Sequence, residues 1–134
     1  MNNQEFFTKT VQHLRRQGEK AFLPGDDGCA YRTRDGKMCA VGCHITAEQY
    51  DDGMEGYRAT AMLADYKLPQ FDGVNDDLIR CMQSVHDRFS VSVWEHEFGV
   101  VAKTFCLQLP PLEATPVPQD TSPQKPNQQE GTSV

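Results

Sequence analysis

Apolar positions recur along this chain with the period of a helix at several places. Phe7, Val11 and Leu14 stand at i, i+4 and i+7, which gathers them on one face of a helix over residues 3–17. Asn2 precedes it as a cap, Glu5 completes a capping box three residues on, and Gly18 is a natural stop. A shorter pattern predicts a second helix over 59–66. Asn75, with Asp76 and Asp77 at the positive end of the helix dipole, opens a third. Its apolar stripe is Leu78, Cys81, Met82, Val85 and Phe89. Ser92 and Glu95 repeat the capping-box spacing ahead of Trp94, Phe98, Val101 and Phe105. Only a few residues separate these last two patterns, so they predict an antiparallel αα-hairpin.

The pattern changes between the first two helices. Pro24-Gly25-Asp26-Asp27-Gly28 is a turn cluster. Cys29-Ala30-Tyr31-Arg32 and Lys37-Met38-Cys39-Ala40-Val41-Gly42 flank Asp35-Gly36, a pair suited to the positive φ of a hairpin turn, and so predict a short β-hairpin packed on a helix. Thr46 starts one further helical turn, and a loop passes through Pro69 and Gly73. The expected fold class is α+β: a mainly helical single domain over 1–109 with one short β-hairpin and a C-terminal αα-hairpin. From Pro110 six prolines and many Gln, Ser and Thr, without an aromatic residue, predict a disordered proline-rich tail over 110–134.

Charge and cysteine content narrow the setting. The net charge is −6, and residues 1–109 carry 12 Lys and Arg against 16 Asp and Glu. Nucleic acid and anionic membranes attract a positive field, so neither is the expected partner. No apolar run approaches the roughly 18 residues of a membrane span. The start of the chain lacks a basic, then apolar, secretory pattern, and five cysteines cannot all pair. Reduced thiols in a cytoplasm are expected.

The densest chemistry lies at 29–44, where Cys29, Cys39, Cys43 and His44 invite a zinc reading. Against it, Cys39 and Cys43 are four apart rather than in a C-x-x-C knuckle, and Cys29 must reach across the hairpin. The competing reading has Cys29 and Cys39 facing each other as small inward residues, with no cofactor. A cysteine-dependent enzyme using Cys39 or Cys43 is a weaker alternative, because no local sequence matches a cysteine-enzyme signature. No catalytic residue is assigned. Tyr31 and Arg32 offer an aromatic face and an anion-binding fork, so a module for a small, nucleotide-like ligand centred on 29–45 is the principal alternative. Lys9, His13, Arg16 and Lys20, at i, i+4, i+7 and i+11, share the helical face opposite Phe7, Val11 and Leu14. That basic stripe either is a solvated outer face or receives a partner protein with an acidic surface.

The segment Tyr31-Arg32, then Gly36-Lys37-Met38-Cys39-Ala40-Val41-Gly42-Cys43-His44-Ile45, resembles small proteins encoded by tailed bacteriophages and prophages. Those similarly carry a short N-terminal helix, a "YR…G…CAVG" segment and an acidic, glycine-containing stretch like 51–56. The resemblance covers about residues 3–60 and implies an accessory role in a host bacterial cytoplasm, with no catalytic residues to carry over. The expected function is accordingly a non-enzymatic phage or prophage accessory protein that binds a host macromolecule, with inhibition one consequence such binding could have.

Overall fold

A computed structural model describes residues 1–23 and 29–112. Four helices carry the architecture: α1 (Asn3–Gln17), α2 (Ala59–Asp65), α3 (Asp76–Arg88) and α4 (Trp94–Thr104). Short 3₁₀ turns at Gly42–His44, Asp52–Met54, Pro69–Phe71 and Val91–Val93 link them. The helix α3 is central, packing against α1, α2 and α4. Its buried side is wider than the predicted stripe: Ile79, Gln83 and His86 join Leu78, Met82 and Val85, while Cys81 is half-buried and Phe89 lies at the exposed end.

The α1 start is built as its sequence demands. The Asn2 side chain accepts from the Glu5 amide, the Glu5 carboxylate accepts from the Asn2 amide, and Gly18 closes the helix with φ 67°. Asn75 caps α3 by accepting from the amides of Asp77 and Leu78. The Ser92–Glu95 box does not form. Val93 is the residue before α4 and makes no side-chain cap, and the Ser92 hydroxyl pairs with that of Ser90. Glu95 instead receives both Nε and Nη2 of Arg15 at 2.8 Å, tying α4 to α1.

The α+β class and its β-hairpin are overturned. Among the described residues there is no strand or sheet, and the one pairing of that kind is an isolated antiparallel bridge between Phe22 and Cys29. The turn itself is present: Thr33 N–H donates to Lys37 O, and Gly36 has φ 90°. What fails is the second arm. Cys39, Ala40, Val41 and Gly42 are all buried, whereas a two-stranded ribbon would turn alternate residues outward. The backbone amides of the segment find side chains in place of a partner strand. Met38 N–H donates to Gln17 Oε1 at 2.8 Å, Val41 N–H to Gln83 Oε1 at 3.2 Å, and Tyr31 and Arg32 N–H to Glu55. Buried amides need partners, and here Gln17 of α1, Gln83 of α3 and the turn residue Glu55 supply them.

The described body extends to Leu112. Arg15 Nη1 donates to the carbonyls of Pro110 and Pro111 at 3.0 and 3.1 Å, so the first residues of the expected tail lie against α1. The rest of that tail, 113–134, and the turn cluster 24–28 lie outside the described residues. Among the described residues no helix is long and apolar enough to cross a membrane.

Candidate binding groove

Where the 18–58 segment folds back on itself it leaves an open groove of about 1010 Å³. Phe22, Leu23 and Tyr50 give it apolar wall, and Arg32, Arg34, Lys20 and Lys37 alternate with Glu19, Asp35, Asp52 and Glu55 around it. Among the described residues, four cations and four carboxylates line the groove.

Arg32 is fixed from several sides. Its guanidinium lies 5.4 Å from the Tyr50 ring centre, and Nη2 donates to Ile45 O at 3.1 Å. The Tyr50 hydroxyl donates to Glu55 Oε2 at 2.6 Å. Glu55 also accepts the amides of Tyr31 at 3.0 Å and Arg32 at 3.2 Å, so its carboxylate is filled by three donors. Lys37 and Thr33 hold Asp35 down at about 2, a Lys37–Asp35 ion pair at the groove edge. Lys20 reaches across the Phe22 ring at 5.8 Å and donates to Asp87 O. Arg34 is exposed.

The sequence-derived sites fare differently. Arg32 is on the groove wall, but Tyr31 is buried, and its hydroxyl donates to Tyr57 O at 2.7 Å. The basic stripe is divided. Lys9 and Arg16 are exposed on α1, His13 Nε2–H is turned back onto Met38 O at 2.9 Å, and Lys20 lies beyond the helix end set by Gly18. Tyr50, Phe22 and Glu55 were not singled out by sequence. Only contacts made in the folded chain mark them, Tyr50 with Arg32, Glu55 with the amides of Tyr31 and Arg32, and Phe22 with His86, and no local pattern encodes these.

The thiols are packed rather than poised. Cys29 and Cys39 share a thiol–thiol hydrogen bond, which together with burial pushes the Cys29 thiol well above its ordinary range. Cys43, its S–H donating to Ala40 O at 3.3 Å, is raised chiefly by burial. Raised thiols are poor nucleophiles. His44 has no thiol to serve: its ring stacks on Phe6 at 4.7 Å, and Nε2–H donates to Thr10 Oγ1 at 2.7 Å. Burial, helped by Lys9, His13 and the N-terminal charge, lowers it to about 3. Among the described residues no three His, Cys, Asp or Glu side chains are placed to hold a metal ion. His86 is buried under Trp94; Nε2 accepts from Ala21 N–H, so Nδ1–H donates to Asp87 Oδ1 at 2.7 Å.

No protein-family model, curated protein or solved structure matches the chain.

Proposed function

We propose that this chain is a non-enzymatic binding protein, an accessory protein of the tailed-phage or prophage kind, that engages a host protein through the groove walled by Arg32 and Tyr50. The groove carries the reading. It is open, part apolar and rimmed by both signs of charge, a mixture suited to a polypeptide segment. Two of its four carboxylates among the described residues are firmly held: Glu55 by three donors and Asp35 by Lys37 and Thr33. None of the histidines lines it among the described residues. Groups so committed favour holding a ligand over transforming one.

The exposed Lys9 and Arg16 on α1 support a second reading, in which an acidic partner docks on that helix face. Capture from host lysate by the full chain separates the two. Arg34→Glu with Leu23→Ser, at groove positions outside the core, should remove the protein that wild type retains, while Lys9→Glu retains it. Loss with Lys9→Glu alone moves the site to α1. Equal capture by all three chains rejects both surfaces. A small molecule in the native mass of wild type, absent from the groove variant, would make the groove a small-ligand site instead.

A further inference from the structure

We infer that the groove takes a polypeptide segment in which a side-chain carboxylate stands beside an aromatic or aliphatic residue. The inference rests on the groove being the binding surface, and it names what a partner must present there.

The charges that line the groove are not equally committed. Lys37 is paired with Asp35 and lies 3.9 Å from Glu19. Glu55 is filled by the Tyr50 hydroxyl and the amides of Tyr31 and Arg32. Arg32, Arg34 and Lys20, by contrast, have no carboxylate within ion-pair distance among the described residues. Arg32 gives Nη2 to Ile45 O and its face to the Tyr50 ring. Lys20 meets a carbonyl, Asp87 O, and the Phe22 ring. Of the carboxylates, Asp52 is exposed and pairs with no cation among the described residues, and Glu19 is held only by the long contact to Lys37. Three unpaired cations therefore outweigh the carboxylates that remain, and the charge left for a ligand to meet is positive. Arg32 is half-buried against an aromatic ring, where an incoming carboxylate gains more than it would in open water.

The same neighbours choose between anions. Phosphate groups are commonly cradled by backbone amides, and the amides of Tyr31 and Arg32 are already given to Glu55. The second negative charge of a phosphate would also face Glu19, Asp35, Asp52 and Glu55 around the groove. A carboxylate carries one charge and can be held by guanidinium and ammonium groups alone. Phe22, Leu23 and Tyr50 supply the apolar half of the site, which seats the neighbouring side chain of the segment.

Amide NMR titrations of the full chain test this with three peptides, acetyl-Leu-Glu-Phe-Glu-Leu-amide and its Gln and Lys counterparts, and with inorganic phosphate. The Glu peptide should move the signals of Leu23, Arg32, Arg34 and Tyr50 and bind about tenfold more tightly than the Gln peptide, less so with added salt. Lys20→Gln with Arg34→Gln should bring the Glu peptide to within about threefold of the Gln peptide, and Asp52→Asn should tighten it about twofold. Lys9→Gln should change nothing. Equal binding of the Glu and Gln peptides, or preference for the Lys peptide, overturns the carboxylate and leaves the groove's function standing. Phosphate that saturates the same signals at lower concentration than the Glu peptide also overturns it. Loss of Glu-peptide binding in Lys9→Gln moves the acidic ligand to α1 and overturns it as well. If no peptide moves the groove signals, this inference fails, and capture by Arg34→Glu with Leu23→Ser then decides the groove separately: lost capture keeps it as the binding surface, and retained capture removes it.

Discussion

At the scale of single residues, the "CAVG" segment has a steric reason for its glycine. A Cβ on Gly42 would lie 2.0 Å from the carbonyl oxygen of Tyr31 and under 3 Å from two more of its backbone atoms. Neither side can yield, because Tyr31 is buried and its own amide is held by Glu55. Gly42→Ala should therefore cost about 3 kcal/mol or more, as overpacking against backbone does, measured by denaturant unfolding. His44 makes the second test. Its folded pKa of about 3 lies below its ordinary 6.5, so the unfolded chain binds the proton more tightly. Stability from this group is complete above about pH 6.5 and falls as pH drops toward 3, by at most about 1.4 kcal/mol per pH unit. His13, lowered chiefly by burial, adds slope in the same direction below its ordinary value. His44→Gln, which keeps a donor for Thr10, should flatten stability between pH 6 and 4. An unchanged slope in His44→Gln would remove the assignment.

Elements were legible where local chemistry decides them and opaque where distant contacts do. The capping box at Asn2 and Glu5 and the cap at Asn75 can be read from three or four neighbouring residues. Ser92 and Glu95 present the same spacing, yet Arg15, eighty residues away, takes Glu95 with two hydrogen bonds. A local pattern lost to a distant ion pair. Caps that form should cost about 1 kcal/mol when removed, and one that does not should cost little. Asn2→Ala and Asn75→Ala should thus each lower stability by about that amount, and Ser92→Ala by less than about 0.5 kcal/mol. The false hairpin has a related cause. Residues 38–42 have the composition of a strand, but Gln17 and Gln83 accept from Met38 and Val41, as Glu55 does from Tyr31 and Arg32 in the first arm, in place of a partner strand. Nothing near 38–42 in the sequence announces those three partners. The groove was half legible for the same reason: Arg32 was found within the hairpin sequence, while Tyr50 and Glu55 come to it only through the folded chain.

For the whole molecule, the C-terminal segment is stitched to α1 before it leaves the described body. The Gln4 side chain exchanges two hydrogen bonds with the backbone of Gln108, and Arg15 joins α1, Glu95 of α4 and the carbonyls of Pro110 and Pro111. Both ends of the described body thus lie on one helix, and successive cuts should register in order. Removing 113–134 leaves every described contact in place, so the core should fold unchanged. Its melting temperature should stay within about 2 °C of that of the full chain. Cutting after Leu109 also takes the two acceptors from Arg15, whose guanidinium is largely buried, and should cost about 1 kcal/mol more. Thermal melts of the full chain and the two cuts separate these contributions. An equal melting temperature for the full chain and the chain ending at Leu112, with a drop on removing 110–112, would report the Arg15 clasp, and equal melting temperatures for all three chains would argue against it.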